Sequence, residues 1–234
     1  MALVDRQRES GSVLIWILVL VAIFAALGAF MSQGTRSNEN GLSKMKAQLL
    51  ANELMDQAAF YKRAWQEMRM SCSAEEIDLD SIPSTPYTRN PNTPPDMSCS
   101  LFNFKASGIG EPKIDNKYIV DIPTGYWDPA GSRAEYWFAN QTTRVFGVGS
   151  DTKAEIALTA RLIREDICRE YNKLVLGDPT IQVYGGDWGD STYSGGDGTT
   201  IWDSIGGNLQ GKMSFCMAEY GGSRFLIHQI LEPR

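Results

Sequence analysis

The chain begins with one long apolar segment and continues with patterned sequence in which hydrophobic and polar positions recur at regular spacing. Val13–Met31 contains 19 residues and no charged side chain. A helix needs about 20 apolar residues to cross the hydrocarbon core of a bilayer. The pattern therefore predicts a membrane helix or an export signal.

Three interpretations of the apolar segment remain open from its residues. The first is a secretory signal peptide that is cleaved near Ala26-Leu27-Gly28, although the apolar run continues beyond that point. The second is an uncleaved anchor, with the remainder of the chain facing outward. The third depends on the short polar stretch before the run, which ends at Gly11.

An amphipathic helix is predicted after the break at residues 34–41. Glycine and proline are absent from 42–70, and apolar side chains recur there every three to five residues. One interpretation packs this stripe on the core of its own domain. The other joins it to Val13–Met31 as one helical spine. The predicted stripe consists of Leu42, Met45, Leu49, Leu54, Ala58, Tyr61, Trp65 and Met68.

The distal part of the chain predicts a small antiparallel sheet with one further helix. Asp151–Leu174 has helical periodicity, with Asp151 as a plausible N-cap and Gly177 just beyond the end. Met213–Tyr220 and Arg224–Leu231 form the clearest hairpin. Shorter strand candidates are Tyr118–Ile122, Glu135–Ala139 and Val145–Val148, and the proline-rich Ile82–Asp96 predicts an irregular loop.

Composition narrows the function classes. The hydrophobic fraction of 43% excludes intrinsic disorder by composition. The net charge of -6 falls on the residues after position 31, because the four charged residues before it cancel. An acidic surface repels phosphate backbones, so a nucleic-acid partner is not expected. A single histidine, His228, leaves little room for histidine-based catalysis, and we expect it to be a half-buried structural residue.

Four cysteines follow the apolar segment, at Cys72, Cys99, Cys168 and Cys216. Their spacing contains no CxxC motif, which argues against a zinc ribbon or a thioredoxin-type site. An even number of cysteines beyond an export or membrane segment favours two disulfides in an oxidising compartment over free thiols. Three connectivities are possible, and the sequential one, which pairs Cys72 with Cys99 and Cys168 with Cys216, is favoured.

Segment 185–198 has an unusual composition, because it is rich in glycine and aspartate. Its glycines lack the lysine and the strand–turn–helix setting of a phosphate loop. Asp187, Asp190 and Asp197 could supply oxygen ligands to calcium, although their spacing is not that of an EF-hand. The alternative is a solvated surface loop. Its aromatic residues and a nearby tryptophan are then contact candidates: Trp188, Tyr193 and Trp202.

A resemblance to a known family comes from the start of the chain. Arg8-Glu9-Ser10-Gly11 is followed directly by Ser12-Val13-Leu14-Ile15-Trp16. This arrangement resembles the class III leader of type IV pilins and of the pseudopilins of type II secretion. A cysteine on a helix joined to one in the last hairpin also looks like the distal loop of type IVb pilins.

The resemblance implies an α+β fold and a non-enzymatic filament subunit. A prepilin peptidase would cleave after Gly11, Ser12 would be N-methylated, and an ATPase-driven membrane platform would assemble the subunits. Residues 1–11 would be the leader, 12–70 a spine helix embedded in the inner membrane over its first half, and 71–234 a disulfide-stapled globular domain. The assembled filament would be periplasmic or extracellular.

Two positions depart from the family pattern. Trp16 stands where the family usually has glutamate, and Ser12 stands where an aromatic residue or methionine is usual. Subunits without that glutamate tend to be minor components. Small residues four apart in the segment are compatible with close helix association. The residues expected to characterise the membrane helix are Val13, Trp16, Ala22, Ala26, Gly28 and Met31.

Two other function classes remain as alternatives. An uncleaved, membrane-anchored periplasmic binding or adhesion module would retain Met1–Gly11. A secreted enzyme is disfavoured because no catalytic triad or metal motif is found in the sequence. No cofactor is expected apart from the calcium candidate.

Overall fold

A computed structural model describes residues 17, 21, 41, 43–79, 90–120, 136–140, 142–150, 152–184 and 203–234. The chain divides into two compact units, Met1–Lys46 and Ala47–Arg234. The second unit contains the sheets and both disulfides. The account below concerns this unit and the helix that leads into it.

Residues 43–68 form helix α1, as the amphipathic pattern predicts. Trp65 and Leu54 are almost completely buried and belong to the main core of the domain. Met45 and Leu49 were expected in the same stripe, but they are exposed. Three neighbouring positions are buried instead: Ala47, Leu50 and Ala51. The stripe thus packs on its own domain, with its N-terminal end rotated relative to the prediction.

The prediction of a long N-terminal spine, embedded in a membrane over its first half, is wrong for the described part of the chain. None of the helices there is both long and apolar enough to cross a bilayer. α1 is not apolar enough to cross a bilayer because residues 43–68 include seven charged side chains. Of Val13–Met31, only Ile17 and Val21 are described, and both are helical.

The main sheet has five strands in the order β1-β3-β7-β6-β4. Neighbouring strands are antiparallel except for β4, which runs parallel to β6. The expectation of a purely antiparallel sheet is therefore corrected to a mixed one. In spatial order the strands are β1 Phe138–Asn140, β3 Ile156–Ile163, β7 Arg224–Glu232, β6 Ser214–Glu219 and β4 Gln182–Val183.

A second sheet of two parallel strands lies on one face of the first. It consists of β2, Thr143–Val145, and β5, Asp203–Ile205. Val145 and Ile205 form a core with Phe215 on the main sheet. The opposite face of the main sheet carries α1 and the second helix, α2, in the larger core.

The helix predicted over Asp151–Leu174 is wrong in its first half. β3 occupies Ile156–Ile163, and α2 begins only at Glu165 and ends at Leu176. All eight residues of β3 are buried, including its polar residues Thr159 and Arg161, so no side of the strand faces solvent. The apolar positions of such a strand, here Ile156, Leu158, Leu162 and Ile163, also fit helical spacing, so periodicity alone does not distinguish it from a buried helix.

The two ends of α2 show which of the predicted caps is present. Arg164, in extended conformation, precedes the helix, so Asp151 is not its N-cap. Asp151 itself lies outside the described residues. Gly177 ends α2 with φ of 78°, the left-handed conformation that the sequence predicts there.

The C-terminal hairpin is confirmed, with β6 and β7 joined through Tyr220–Gly222 and Ser223. The shorter strand candidates are displaced from their predicted positions. Tyr118–Val120 makes only an isolated bridge, through Ile119 and Ile163. Val145 ends β2 rather than beginning a strand, and β1 begins at Phe138. Of the predicted loop, residues 90–96 are irregular and 82–89 lie outside the described residues.

Candidate functional site

Most of the site residues expected from the sequence lie outside the described part of the chain. This holds for the processing positions Gly11 and Ser12 and for the calcium candidates Asp187, Asp190 and Asp197. Within the described residues, no group of three His, Cys, Asp or Glu side chains could hold a metal ion. Also outside are Val13, Trp16, Ala22, Ala26, Gly28, Met31, Trp188, Tyr193 and Trp202.

The four cysteines form two disulfides. Cys72 is bonded to Cys99 with a Cα–Cα distance of 6.0 Å, and Cys168 to Cys216 with 5.5 Å. This is the sequential connectivity that the sequence favours. The first bond links the turn after α1 to the segment that precedes Leu101. The second links α2 to β6 across the core.

Asn172 reinforces the second disulfide. Its side-chain Nδ2 donates to the carbonyl of Cys216 at 2.8 Å, and its Oδ1 accepts from the Cys216 N–H at 2.7 Å. Nδ2 also donates to the carbonyl of Thr180. The buried amide thus pairs with β6 as a neighbouring strand would, at a position next to the two-residue strand β4. No sequence pattern indicates this role of Asn172.

A row of buried polar side chains crosses the face of the main sheet that carries the smaller core. Thr159 and Arg161 come from β3, His228 from β7 and Glu219 from β6. All four are at most 3% exposed. Alternation along each strand places them on one face with Ala157, Leu226 and Phe215 in the smaller core.

His228 is fully buried, whereas the sequence predicts it to be half-buried. Its Nδ1 lies 3.0 Å from Thr159 Oγ1, and its ring contacts that of Phe215 at a centroid distance of 5.4 Å. Burial lowers the pKa of His228 to about 3. The imidazole is therefore neutral near pH 7, because desolvation penalises its charged form.

Arg161 and Glu219 bring opposite charges into the same row. Arg161 Nη2 lies 3.6 Å from Glu219 Oε2, and its guanidinium lies 5.2 Å from the centre of the Phe138 ring. Buried charges of this kind are retained when they are paired, since removing one partner leaves the other uncompensated. Their burial and that of His228 make the row a structural element of the sheet rather than a site open to substrate.

Two polar clusters fasten α1 to the rest of the domain. At its C-terminal end, Trp65 and Arg69 both donate to Glu232 on β7, at 2.9 Å and 2.8 Å. In its middle, Glu53 accepts from Lys117 Nζ at 2.8 Å and from the Tyr118 hydroxyl at 2.6 Å.

The second cluster shifts the pKa values of its members. The hydrogen bond from Lys117 lowers the pKa of Glu53, and the same bond raises the pKa of Lys117. Burial is the main cause that raises the pKa of Tyr118. The shifts favour the charged carboxylate of Glu53, the charged ammonium of Lys117 and the protonated hydroxyl of Tyr118. These are the forms in which the three side chains make their hydrogen bonds.

The opposite side of α1 is exposed and carries large apolar side chains. Leu49 is 59% exposed and Phe60 is 46% exposed, with the exposed Asp56 between them. Spacings of seven and four place these three residues on one face of the helix. We call Leu49, Asp56 and Phe60 the outer face of α1. The sequence pattern puts Leu49 in the same stripe as Leu54 and Trp65 and does not indicate that Leu49 faces away from them.

An open cavity of about 210 Å³ lies where α1 meets the segment after Cys99. It is lined mainly by small and polar residues, and two of them, Ser71 and Ser98, directly precede the cysteines of the first disulfide. The full lining consists of Ala64, Glu67, Met68, Ser71, Ser98, Ala106 and Ser107.

Comparisons of the chain with protein-family models, with curated proteins and with solved structures find no match.

Proposed function

We propose that this chain is a structural subunit of a type IV pilus-like or pseudopilus filament, processed after Gly11 and assembled through its N-terminal helix. The observation that carries the proposal is the polar leader ending at Gly11, directly before the apolar Val13–Met31. Trp16, which stands where the family usually has glutamate, favours a minor component. The site of action would be the periplasm or the cell surface.

The arrangement of α1 supports assembly through that helix. One side of α1 packs into the core of its own domain through Leu54, Ala58 and Trp65. The outer face keeps Leu49 and Phe60 exposed. Aromatic and large apolar side chains are enriched at the centres of protein interfaces. A neighbouring subunit that covered this face would remove their apolar surface from water.

The two disulfides fit a domain that functions outside the cytoplasm. Each links separate elements of the domain, and no free cysteine is found among the described residues. Disulfides persist in oxidising compartments and are rare in the cytosol. The bonds thus support an exported domain, and they agree equally with an uncleaved periplasmic module.

Processing distinguishes these two functions. The intact mass and N-terminal sequence of the protein from its native membrane fraction would be measured for the wild type and for Gly11→Val. Filament assembly predicts a chain that begins at methylated Ser12, and a variant that keeps residues 1–11. A wild-type chain that begins at Met1 would contradict the proposal and support the anchored module.

Assembly can be tested separately from cleavage. A photo-crosslinking phenylalanine analogue at position 60 or 49 should trap homomultimers or contacts with other filament subunits. The matched control carries the same analogue at Val183, which is 55% exposed on β4. Crosslinks at 60 that persist in the Gly11→Val background, or that equal those at 183, would contradict assembly through α1.

A further inference from the structure

Three serines line the open cavity at the C-terminal end of α1: Ser71, Ser98 and Ser107. The hydroxyl of Ser71 donates to the carbonyl of Met68 at 3.3 Å. The hydroxyl of Ser107 donates to the carbonyl of Leu101 at 2.5 Å. A hydroxyl has a single proton, so what each of these two oxygens can still offer a ligand is a lone pair. Both serines are therefore acceptors for a molecule in the cavity.

Ser98 also uses its proton within the protein, and it brings a negative charge close to the cavity. Hydrogen bonds from the backbone N–H and from the side chain of Ser98 lower the pKa of Asp96. The backbone bond measures 3.0 Å from the N atom of Ser98 to Oδ1 of Asp96. The Asp96 carboxylate is thus ionised at neutral pH, and the Ser98 hydroxyl is left as an acceptor.

Glu67 supplies a carboxylate to the cavity lining itself. Within the described part of the chain, its side chain makes no hydrogen bond and no ion pair, although Arg63 lies one turn before it on α1. None of the described lining residues is basic. A ligand in the cavity therefore meets a carboxylate and hydroxyl oxygens, and no cation competes with it from the lining.

The position of the cavity on α1 adds to this preference for positive charge. α1 ends at residue 68, and Ala64, Glu67 and Met68 contribute its last turn to the lining. The C-terminal end of a helix is the negative end of its dipole and favours cations. Arg69, which follows α1 directly, is not a lining residue, and its guanidinium is already bonded to Glu232.

We propose that this cavity binds a small organic cation through a primary ammonium group. An ammonium carries a positive charge and three N–H donors and has no acceptor, so it complements a lining of acceptors with a carboxylate. Pockets for drug-sized ligands measure about 300–1,000 Å³. A cavity of about 210 Å³ therefore suits a smaller molecule. The net charge of -6 attracts cations to the domain in general. This inference is independent of the proposed filament function.

Binding is measured by nuclear magnetic resonance on the isotope-labelled full-length protein in a zwitterionic detergent. n-Butylammonium chloride replaces sodium chloride during the titration, so the ionic strength stays constant. We expect saturable shifts of the backbone amides of Ser71, Ser98 and Ser107. Tetramethylammonium has the same charge but no N–H donor, and it should bind at least about tenfold more weakly. No saturable shift at these amides, or equal affinity for the two cations, would overturn the proposal.

Glu67→Gln tests the role of the carboxylate, because it removes the charge and keeps the size of the side chain. Butylammonium should bind this variant at least about tenfold more weakly, since hydrogen bonds between charged groups are about twice as strong as neutral ones. Glu75→Gln is the matched control, because it removes an exposed carboxylate that does not line the cavity. Wild-type affinity in Glu67→Gln, or an equal loss in the control, would contradict recognition by Glu67.

Ala106→Leu tests the cavity itself. The variant keeps every acceptor and narrows the cavity with a larger side chain, and the exposure of Ala106 makes the change compatible with folding. Affinity for butylammonium should fall several-fold. An unchanged affinity would show that the cation binds to the acidic surface outside the cavity, and the proposal would then be wrong.

Discussion

Trp65 donates its indole N–H to a carboxylate oxygen of Glu232 at 2.9 Å, across 167 positions of sequence. Arg69 donates to the same oxygen at 2.8 Å, and its Nη1 reaches the carbonyl of Cys72. One carboxylate on the last strand thus holds the C-terminal end of α1 and, through Arg69, the turn that leads into the first disulfide.

Glu232→Ala should destabilise the domain. The change leaves the indole N–H of the buried Trp65 and the Arg69 guanidinium without their acceptor. Hydrogen bonds to charged groups contribute about 1.5–3 kcal/mol, and the partial exposure of this pair places the expected loss of unfolding free energy at the lower end. Glu232→Gln keeps one acceptor and should lose less. Urea unfolding measures both changes.

The matched control for Glu232 is Glu75→Ala, which removes an exposed carboxylate from the same disulfide-bonded region. It should shift the unfolding free energy by less than about 0.5 kcal/mol. Equal losses for the two alanine variants would mean that Glu232 does not anchor α1.

A helix or strand could be predicted from the sequence when one of its sides faces solvent and is polar. α1 has such a face, so its periodicity located Trp65 and Leu54 in the core. β3 has no solvent-facing side, because it is buried between two cores, and its apolar positions fit helical spacing as well as that of a strand. Glycine-containing caps and turns were also predicted correctly: Gly177 ends α2, and β6 and β7 form the expected hairpin.

The candidate site could be predicted only in part. The favoured cysteine pairing agrees with the structure, and a structural role for His228 fits its burial. The ion pair between Arg161 and Glu219 joins strands that are separated by β7, so no local pattern points to it. Exposure of Leu49 depends on how α1 is rotated on the sheet, and spacing alone leaves that rotation uncertain by about one position.

Asn172→Asp should destabilise the domain while leaving the volume of the side chain nearly unchanged. The carboxylate cannot donate to the carbonyls of Cys216 and Thr180, and its charge is buried. We expect a loss of about 1–3 kcal/mol in unfolding free energy, the cost of leaving buried groups without a partner.

The control for Asn172 is Asn52→Asp on α1, where the amide bonds only to the carbonyl of Gln48 at the exposed surface. Thermal unfolding of both variants under oxidising conditions compares them directly, because the disulfides then stay intact. A smaller effect at 172 than at 52 would refute the strand-like role of the Asn172 amide.

Gly177→Ala should destabilise α2 through backbone conformation alone. Gly177 has φ of 78° and its N–H donates to the carbonyl of Lys173, while the space around its Cα is open. A Cβ in the left-handed region costs about 1 kcal/mol. Gly110→Ala is the control, since Gly110 also has open space but no positive φ, and it should be neutral or slightly stabilising. Equal unfolding free energies for the two variants would contradict this explanation.

His228 should make stability depend on pH between about 3 and 6.5. Its pKa in the folded protein is about 3, against an ordinary value of 6.5. Below pH 6.5 the unfolded chain takes up a proton that the folded protein excludes, so stability falls as the pH falls towards 3. Above pH 6.5 both states are neutral and the contribution is constant. Thr159 and Phe215 both contact the ring, and neither carries a charge in this range.

His228→Gln removes this titration and keeps a polar side chain beside Thr159. The variant should be less stable at pH 7, because the ring contact with Phe215 is lost. Its stability should nevertheless fall less steeply on acidification than that of the wild type, by up to about 1.4 kcal/mol per pH unit for one proton. Urea unfolding at several pH values from about 4 to 7 gives both slopes. Carboxylates with lowered pKa, such as Glu53, titrate equally in both proteins and cancel in the comparison. Parallel curves would show that His228 is protonated in the folded state as readily as in the unfolded one, and that its burial excludes no proton.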